Sequence, residues 1–410
     1  MSVPLQRVVV TGMGIVSCLG NTLDDVSAAL RVGRSRIERI DAWRERGFGS
    51  QVAGVASVAH EQPPFDRKLE RFMGDTARFA CHAARKAIDD AGLDPAALRS
   101  PRAGTVIGSG VGTMSSYDVA MAIANARGVD KVPPYTVPHA MSSTASANVA
   151  QVFGLEGVSY SPSSACTTSA LAIGQAMQLI QTGRQQIVLA GGSEALHDNM
   201  TLMFDSMGAL SRGFNDTPQH ASRPYDTARD GFVIASGGGV LVLESLDHAL
   251  ARGARIYAEL IGFGDCTDAA GMVAPRAAGI ARAMRGALGE AGKRPDYINT
   301  HAPSTPLGDV EELRALIDVF GGDVPAFSST KGMTGHPLGA CGAHEAIYTL
   351  LMMRDGFIAG TAGIETPEPG VDGMRLVRTT RDARIGTAMS ISFGFGGSCA
   401  SLMFEAWQGG

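Results

Sequence analysis

The chain has 410 residues, 45% of them apolar and only 18% charged, so a large interior and two domains or fused halves are expected. Its net charge of −5 argues against bulk nucleic-acid binding while leaving room for a local basic patch. The cysteines, at 18, 81, 166, 266, 341 and 399, form no C-x-x-C pair and no zinc spacing, and scattered single thiols fit a reducing cytoplasm.

The apolar run 8–19 imitates a secretory core, but Gly12 and Gly14 break it and Arg7 is the one basic side chain ahead of it. It reads as a buried strand and turn. No run approaches the ~20 apolar residues that span a bilayer. The chain then repeats a texture of strand, glycine turn and helix. Strands are predicted at 7–11, 104–108, 186–190 and 239–244, then at 255–262, 296–299, 324–328, 387–392 and 400–404. Helices are predicted at 22–32, 68–91, 140–153, 170–182, 274–291, 309–320 and 341–355. Several strands are continuous apolar runs, as strands covered on both faces require. The alternation is that of an α/β protein, with a junction near 244–253. Both parts end in similar strand pairs, which suggests an internal duplication that residue identity does not display.

Four segments carry chemistry. Cys166 lies in Ser163-Ser164-Ala165-Cys166-Thr167-Thr168-Ser169, ahead of the apolar stretch 170–180. The start of a helix favours a thiolate, the nucleophilic form of cysteine. An inert buried cysteine is the other reading. His301 follows the strand at 296–299, where α/β proteins place ligand groups. A loop histidine without a role is the alternative. Lys331 and His336 share the glycine-rich turn Ser328-Ser329-Thr330-Lys331-Gly332-Met333-Thr334-Gly335-His336, which is not a phosphate loop and lacks metal-ligand spacing. Gly394-Phe395-Gly396-Gly397 would bring backbone N–H groups close to a ligand, or else simply joins the last two strands. Asp309 and Glu312 form a capping-box pattern at the start of the 309–320 helix. Alternatively, Glu312 holds Lys331 in a buried ion pair.

In this order, S-S-A-C-T-T-S around Cys166, N-T-H-x-x-S-T-P-L-G-D around His301, S-T-K-G-M-T-G-H-P-L-G-A with Lys331 and His336, and S-F-G-F-G-G resemble the β-ketoacyl-acyl-carrier-protein synthases. The resemblance spans essentially the whole chain and is closest to the bacterial type I condensing enzyme of dissociated (type II) fatty-acid synthesis. It implies a thiolase-like fold of two similar halves in five α-β-α-β-α layers. Residues 1–245 would carry the nucleophile and 246–410 the histidines and the lysine. It implies that Cys166 takes an acyl chain as a thioester, with the backbone N–H groups of Cys166 and Phe395 as oxyanion hole. His301 and His336 would then stabilise the enolate left when malonyl carrier protein loses CO2. Lys331 would orient the site, held by Glu312. Phe393, Phe395 and the 268–275 segment with Asp268 would form a gate, and Thr305 would contact pantetheine.

No metal or organic cofactor is implied, because phosphopantetheine arrives on the acyl carrier protein. That acidic partner would dock on Arg67, Lys68, Arg71, Arg127 and Lys131. A homodimer is implied, or a heterodimer with a related ketosynthase subunit, with no nucleic acid or membrane partner. The chain departs from the family pattern at Ala302-Pro303, where Gly-Thr is usual, at Ile391, Ser398 and Cys399, and at Val111, where glycine is usual. Two other readings are a chain-length-setting partner subunit, which commonly lacks the nucleophile, and a degradative thiolase, for which Cys399 is the one late second thiol.

Overall fold

The computed structural model describes residues 5–62, 64–269 and 271–409. Its central feature is a series of ten hydrogen-bonded strands. In chain order these are β1 (Val8–Val16), β2 (Ala103–Gly108), β3 (Ser159–Tyr160), β4 (Ile187–Glu194) and β5 (Gly237–Ser245), then β6 (Ala258–Thr267), β7 (Tyr297–Asn299), β8 (Ala326–Ser328), β9 (Thr387–Gly394) and β10 (Ser398–Ala406). Spatial order is β3-β2-β4-β5-β1 followed by β6-β10-β9-β7-β8. Each set of five repeats the other in order and direction. β2 runs parallel to β3 and β4, and β5 is antiparallel to β4 and β1. β7 runs parallel to β8 and β9, and β10 is antiparallel to β9 and β6. The sets meet where β1 pairs antiparallel with β6 through Val9–Glu259 and Val10–Ala258.

Six helices complete the repeat: α1 (Asp75–Ala91), α2 (Thr144–Phe153), α3 (Thr168–Gln181), α4 (Ala277–Ala291), α5 (Gly308–Phe320) and α6 (Cys341–Asp355). The apolar strands show why both faces need cover. Ile187, Leu189, Val240 and Val242 join the core under α1 and α2. Their alternate neighbours Val188, Ala190, Leu241 and Leu243 join the core around α3 and α6, which also takes Leu402 and Phe404 from the second set. Met389 and Met403 face α4 and α5. The result is α-β-α-β-α, with α3 and α6 as the shared middle layer. Each fully buried Leu or Val on these strands contributes about 1.5–3 kcal/mol.

The duplication is plainest in backbone contacts. A Cβ on Gly12 or Gly14 would lie 2.3 Å from Ala87 O or 2.0 Å from Ala83 O. A Cβ on Gly262 or Gly264 would lie 2.3 Å from Ala287 O or 2.1 Å from Ala283 O. One G-x-G strand is thus pressed twice onto an alanine-faced helix. An acidic residue late in that helix ties down the strand in both halves: Met13 N–H donates to Asp90 at 2.9 Å and Phe263 N–H to Glu290 at 2.8 Å.

The predicted 68–91 helix is two helices, Arg67–Glu70 and α1, separated where Gly74 takes an extended conformation against Thr113. The predicted 140–153 helix splits likewise into Thr136–Ala140 and α2. Helices Met114–Arg127 and Asp198–Ser206 were not predicted, and the first has no buried residue to give it an apolar stripe. Among the described residues no helix is long and apolar enough to cross a membrane.

Candidate active site

The middle helices begin side by side. Ala343 N–H donates to Ser169 Oγ at 2.9 Å, and a Cβ on Gly342 would lie 2.7 Å from Ala170 N. Each helix is preceded by a 3₁₀ turn that opens on a left-handed residue: Ala165 with φ 50° and Leu338 with φ 44°. Such a conformation costs a non-glycine residue about 1–3 kcal/mol. Around Ala165 it is held by Thr168 Oγ1, which donates to Ala165 O at 2.7 Å and accepts from Ser164 N–H at 2.9 Å. The turn lifts Cys166 to the end of α3, and the Cys341 thiol donates to Cys166 O at 3.1 Å. Gly394 packs so closely that a Cβ there would lie 2.9 Å from Cys166 N.

Burial works against the thiolate that the helix start favours. Desolvation pushes the Cys166 thiol up to about 12, outweighing the opposing pull of the Lys331 charge.

His301 leaves the end of β7, and His336 stands in the β8–α6 connection that repeats the nucleophile's. The Cys166 sulfur and one nitrogen from each ring lie within 4.8 Å of one another. The rings are edge to face with centroids 5.1 Å apart, and Phe393 and Phe232 pack on them at 4.3 and 5.5 Å. His336 is pinned by its backbone, N–H to Val233 O at 2.7 Å and O from Ala235 N–H at 3.0 Å. Neither of its ring nitrogens has a partner among the described residues. Burial first, then the Lys331 charge, holds both imidazoles well below the ordinary range, so both are neutral.

Lys331 is fully buried beside His301. Nζ donates to His301 O at 2.6 Å and lies 3.4 Å from His301 Nδ1. Its ion-pair partner is Glu345 on α6, which corrects the expected pairing with Glu312. Burial alone would lower the lysine's pKa, but the Glu345 charge reverses this and keeps it protonated.

Glu312 instead serves the backbone of the histidine segment. It accepts from His301 N–H at 2.7 Å, Ala302 N–H at 2.9 Å and Tyr225 O–H at 2.7 Å. Asp309 accepts from Ser304 N–H at 3.2 Å, Thr305 N–H at 3.1 Å and Tyr225 N–H at 2.9 Å. The capping box is therefore absent. α5 starts one residue early, at Gly308, and both carboxylates turn inward. Pro303, which has no N–H, is the one residue of 301–305 that neither carboxylate needs to satisfy.

These residues open onto a cavity of about 530 Å³ lined by Cys166, His301 and His336, and by Val111, Phe204, Leu338, Pro303, Thr305, Phe393 and Phe395. Exposed Met207, Val273 and Leu307 mark its mouth.

The sequence matches the family models for the β-ketoacyl synthase N-terminal domain over residues 5–249 and C-terminal domain over 257–365. The chain belongs to the β-ketoacyl synthase family. It is 48% identical over 407 residues to 3-oxoacyl-[acyl-carrier-protein] synthase 1 of Haemophilus influenzae, covering 99% of this chain and 100% of that one. A β-ketoacyl synthase structure from Burkholderia phymatum superposes with a TM-score of 0.93 at 36% identity, covering 98% of this chain and 100% of that one. A type II PKS acyl-carrier protein in complex with its ketosynthase gives a TM-score of 0.90 at 31% identity over the same shares.

Within this family frame the other expected residues fall as follows. Val111, Phe393, Phe395 and Thr305 line the cavity. Asp268 does not: its N–H donates to Gly397 O at 2.8 Å and its carboxylate accepts from Arg276 N–H at 3.0 Å. With Gly396 N–H to Met272 O at 2.8 Å, these bonds tie the 268–275 segment to the glycine turn; Ala270 lies outside the described residues. Arg67, Lys68, Arg71, Arg127 and Lys131 are exposed and outside the cavity. The Arg71 guanidinium stacks on Tyr135, 5.2 Å from its centroid, joining the 67–71 segment to the one after Lys131.

Ile391 is buried under α4 and α5. Ser398 Oγ meets Thr167 Oγ1 at 2.7 Å, linking the glycine turn to the nucleophile's turn. Cys399 is buried opposite Cys266 across β10 and β6 and does not line the cavity. The second thiol a degradative thiolase would need is therefore not supplied by Cys399.

Four residues were given no site role from the sequence: Glu345, Cys341, Tyr225 and Glu194. Glu194 ends β4 and accepts from Ser109 Oγ at 2.7 Å, Gly110 N–H at 2.7 Å, Val111 N–H at 3.2 Å and Gly339 N–H at 3.0 Å. It binds the Val111 loop to the α6 turn. A carboxylate inside an otherwise buried run was the available signal for both Glu194 and Glu345.

Proposed function

We propose that this chain is a 3-oxoacyl-acyl-carrier-protein synthase in which Cys166 carries the acyl group and His301 and His336 drive the condensation. The observation that carries the assignment is the meeting of one thiol with two neutral imidazoles inside an apolar cavity.

In the first half-reaction Cys166 Sγ attacks the acyl thioester. A new S–C bond forms, the carrier's sulfur leaves, and the thiol proton passes to that sulfur. The N–H groups of Cys166 and Phe395 supply the oxyanion hole. In the second, the malonyl C–C bond to its carboxylate breaks and CO2 leaves. The electron pair becomes an enolate, whose oxygen accepts from the N–H groups of His301 and His336. Neutral imidazoles suit this step, because each offers a donor whose hydrogen bond strengthens as the oxygen gains charge. The enolate carbon then bonds the acyl carbon, the C–S bond breaks with its electron pair leaving on the Cys166 sulfur, which takes a proton from solvent, and the product is a 3-oxoacyl chain two carbons longer. Lys331 positions His301.

The reading needs no resident cofactor, since phosphopantetheine comes with the carrier, for which Thr305 in the cavity is the pantetheine contact. Exposed Arg67, Lys68, Arg71, Arg127 and Lys131 suit an acidic carrier protein. The solved relative described with its acyl-carrier protein supports that partner. A homodimer is supported by exposed Tyr117, Val119 and Met121 on the Met114–Arg127 helix, together with Val137. The setting is cytoplasmic fatty-acid elongation. Val111 and Pro303, both in the cavity, favour a second reading in a specialised polyene or polyketide-like pathway. Intact-protein mass spectrometry after incubation with acyl carrier protein tests the first step: one acyl adduct on wild-type protein and none on Cys166→Ala.

A further inference from the structure

We propose that Tyr225 is a positioning residue for His301, acting through Glu312; the inference rests on the role in condensation given to His301 above. Tyr225 has no solvent exposure and adopts φ 62°, a left-handed conformation unusual for a bulky residue. Strain of this kind persists only where the surroundings over-determine it. Here they do. The Tyr225 N–H donates to Asp309 and its O–H to Glu312, while its ring packs edge-on against Phe327 at 5.7 Å. One residue thus bridges two carboxylates a single turn apart on α5. Those carboxylates take every N–H that the 301–305 backbone offers.

The arrangement works only while Glu312 is ionised. As an anion it accepts all three donors. Once protonated, one oxygen becomes a donor facing other donors, and its grip on His301 and Ala302 is lost. Burial pushes Glu312 up to about 7, and the Tyr225 hydroxyl is the foremost group pulling it back. The other charged groups facing it are Asp309 on its own helix and Lys331 and Glu345 from the β8–α6 side. Arg229 pairs with Asp309 at 3.5 Å. Loss of the hydroxyl raises the pH at which Glu312 protonates. The effect falls on the step that needs His301 and spares acyl transfer to Cys166.

The test compares wild type, Tyr225→Phe and Glu312→Gln across pH, measuring acylation of Cys166 and condensation separately. Tyr225→Phe is expected to acylate within about twofold of wild type. Its condensation rate should fall about tenfold near pH 6.5 and recover to within about twofold near pH 9, so that the acid limb moves upward. Glu312→Gln should be slow and lack that limb. A Tyr225→Phe enzyme whose condensation profile runs parallel to wild type, lowered or not, overturns the inference. So does a Glu312→Gln enzyme that keeps the wild-type limb. A wild-type enzyme that acylates Cys166 but never condenses would sink the functional reading, and the inference with it.

Discussion

Lys331 Nζ donates to the main-chain carbonyl of His301 at 2.6 Å and stands 3.4 Å from Nδ1 of the same ring. The contact puts a permanent positive charge against an imidazole that must stay neutral to act as an N–H donor. It also fixes where the ring can lie. The charge is tolerated in the interior because Glu345 faces it from α6.

That pair makes a stability prediction. Removing Glu345 alone leaves a buried ammonium without compensation, so Glu345→Ala should lose about 3–5 kcal/mol in denaturant unfolding. Lys331→Met combined with Glu345→Leu should regain most of that loss while remaining inactive, since the apolar pair removes both desolvation costs. Equal loss in the single and double variants would show that the ion pair is not what Glu345 contributes.

The nucleophile's environment predicts its reactivity. With the Cys166 thiol pushed up to about 12, alkylation by iodoacetamide should be slow near neutral pH and still rising at pH ~10, with no plateau near the ordinary thiol pKa of about 8.5. A plateau below about pH 8 would mean that the free enzyme already holds a thiolate.

His344, outside the catalytic group, gives a pH prediction for stability. Burial, opposed by nearby backbone groups of Gly238 and Val16, lowers its pKa from 6.5 to about 4. The unfolded chain therefore binds a proton on this residue below pH ~6.5 that the native state refuses until about pH 4. The stabilisation is present above pH ~6.5 and is lost as pH falls toward 4, by about 3 kcal/mol. Replacing His344 with Gln should flatten that part of the unfolding free-energy curve. Glu312, Asp309 and Glu345, all raised by burial, act in the opposite sense across the same range, so the comparison must be between the two proteins.

The strand–helix contacts of the repeat predict a matched pair of effects. Gly14→Ala and Gly264→Ala each place a Cβ about 2 Å from a helix carbonyl (2.0 Å from Ala83 O and 2.1 Å from Ala283 O), and the strand must move away. Each should cost about 1–3 kcal/mol by thermal or denaturant unfolding. A neutral result in one half alone would show that the duplicated contact is not equally tight.

Much of this fold was legible because burial on both faces leaves a mark. Runs such as 187–190 and 240–243 are apolar throughout, and the structure sends their alternate residues to different cores. The duplication that the strand pairs suggested could not be shown from residue identity, because it is kept in small residues, two G-x-G strands and two alanine-faced helices, which carry little identity. Met114–Arg127 escaped because it buries nothing within the chain. Cys166, His301, Lys331 and His336 were legible as motifs, but partner choice was not. Asp309 and Glu312 have the spacing of a helix cap, and only the return of the 301–305 backbone over α5 shows that they serve it instead. Glu345 could not be paired with Lys331 by spacing, since the bond depends on how α6 lies against β8.

The most direct test of the central claim is mass spectrometry of the products formed from malonyl carrier protein and a panel of acyl carrier proteins, with wild type, Cys166→Ala and His301→Ala side by side. The account predicts a 3-oxoacyl product two carbons longer from wild type alone, with His301→Ala still acylated on Cys166 but unable to extend it. Extension that persists in Cys166→Ala, or a wild-type enzyme that extends no primer, would contradict it.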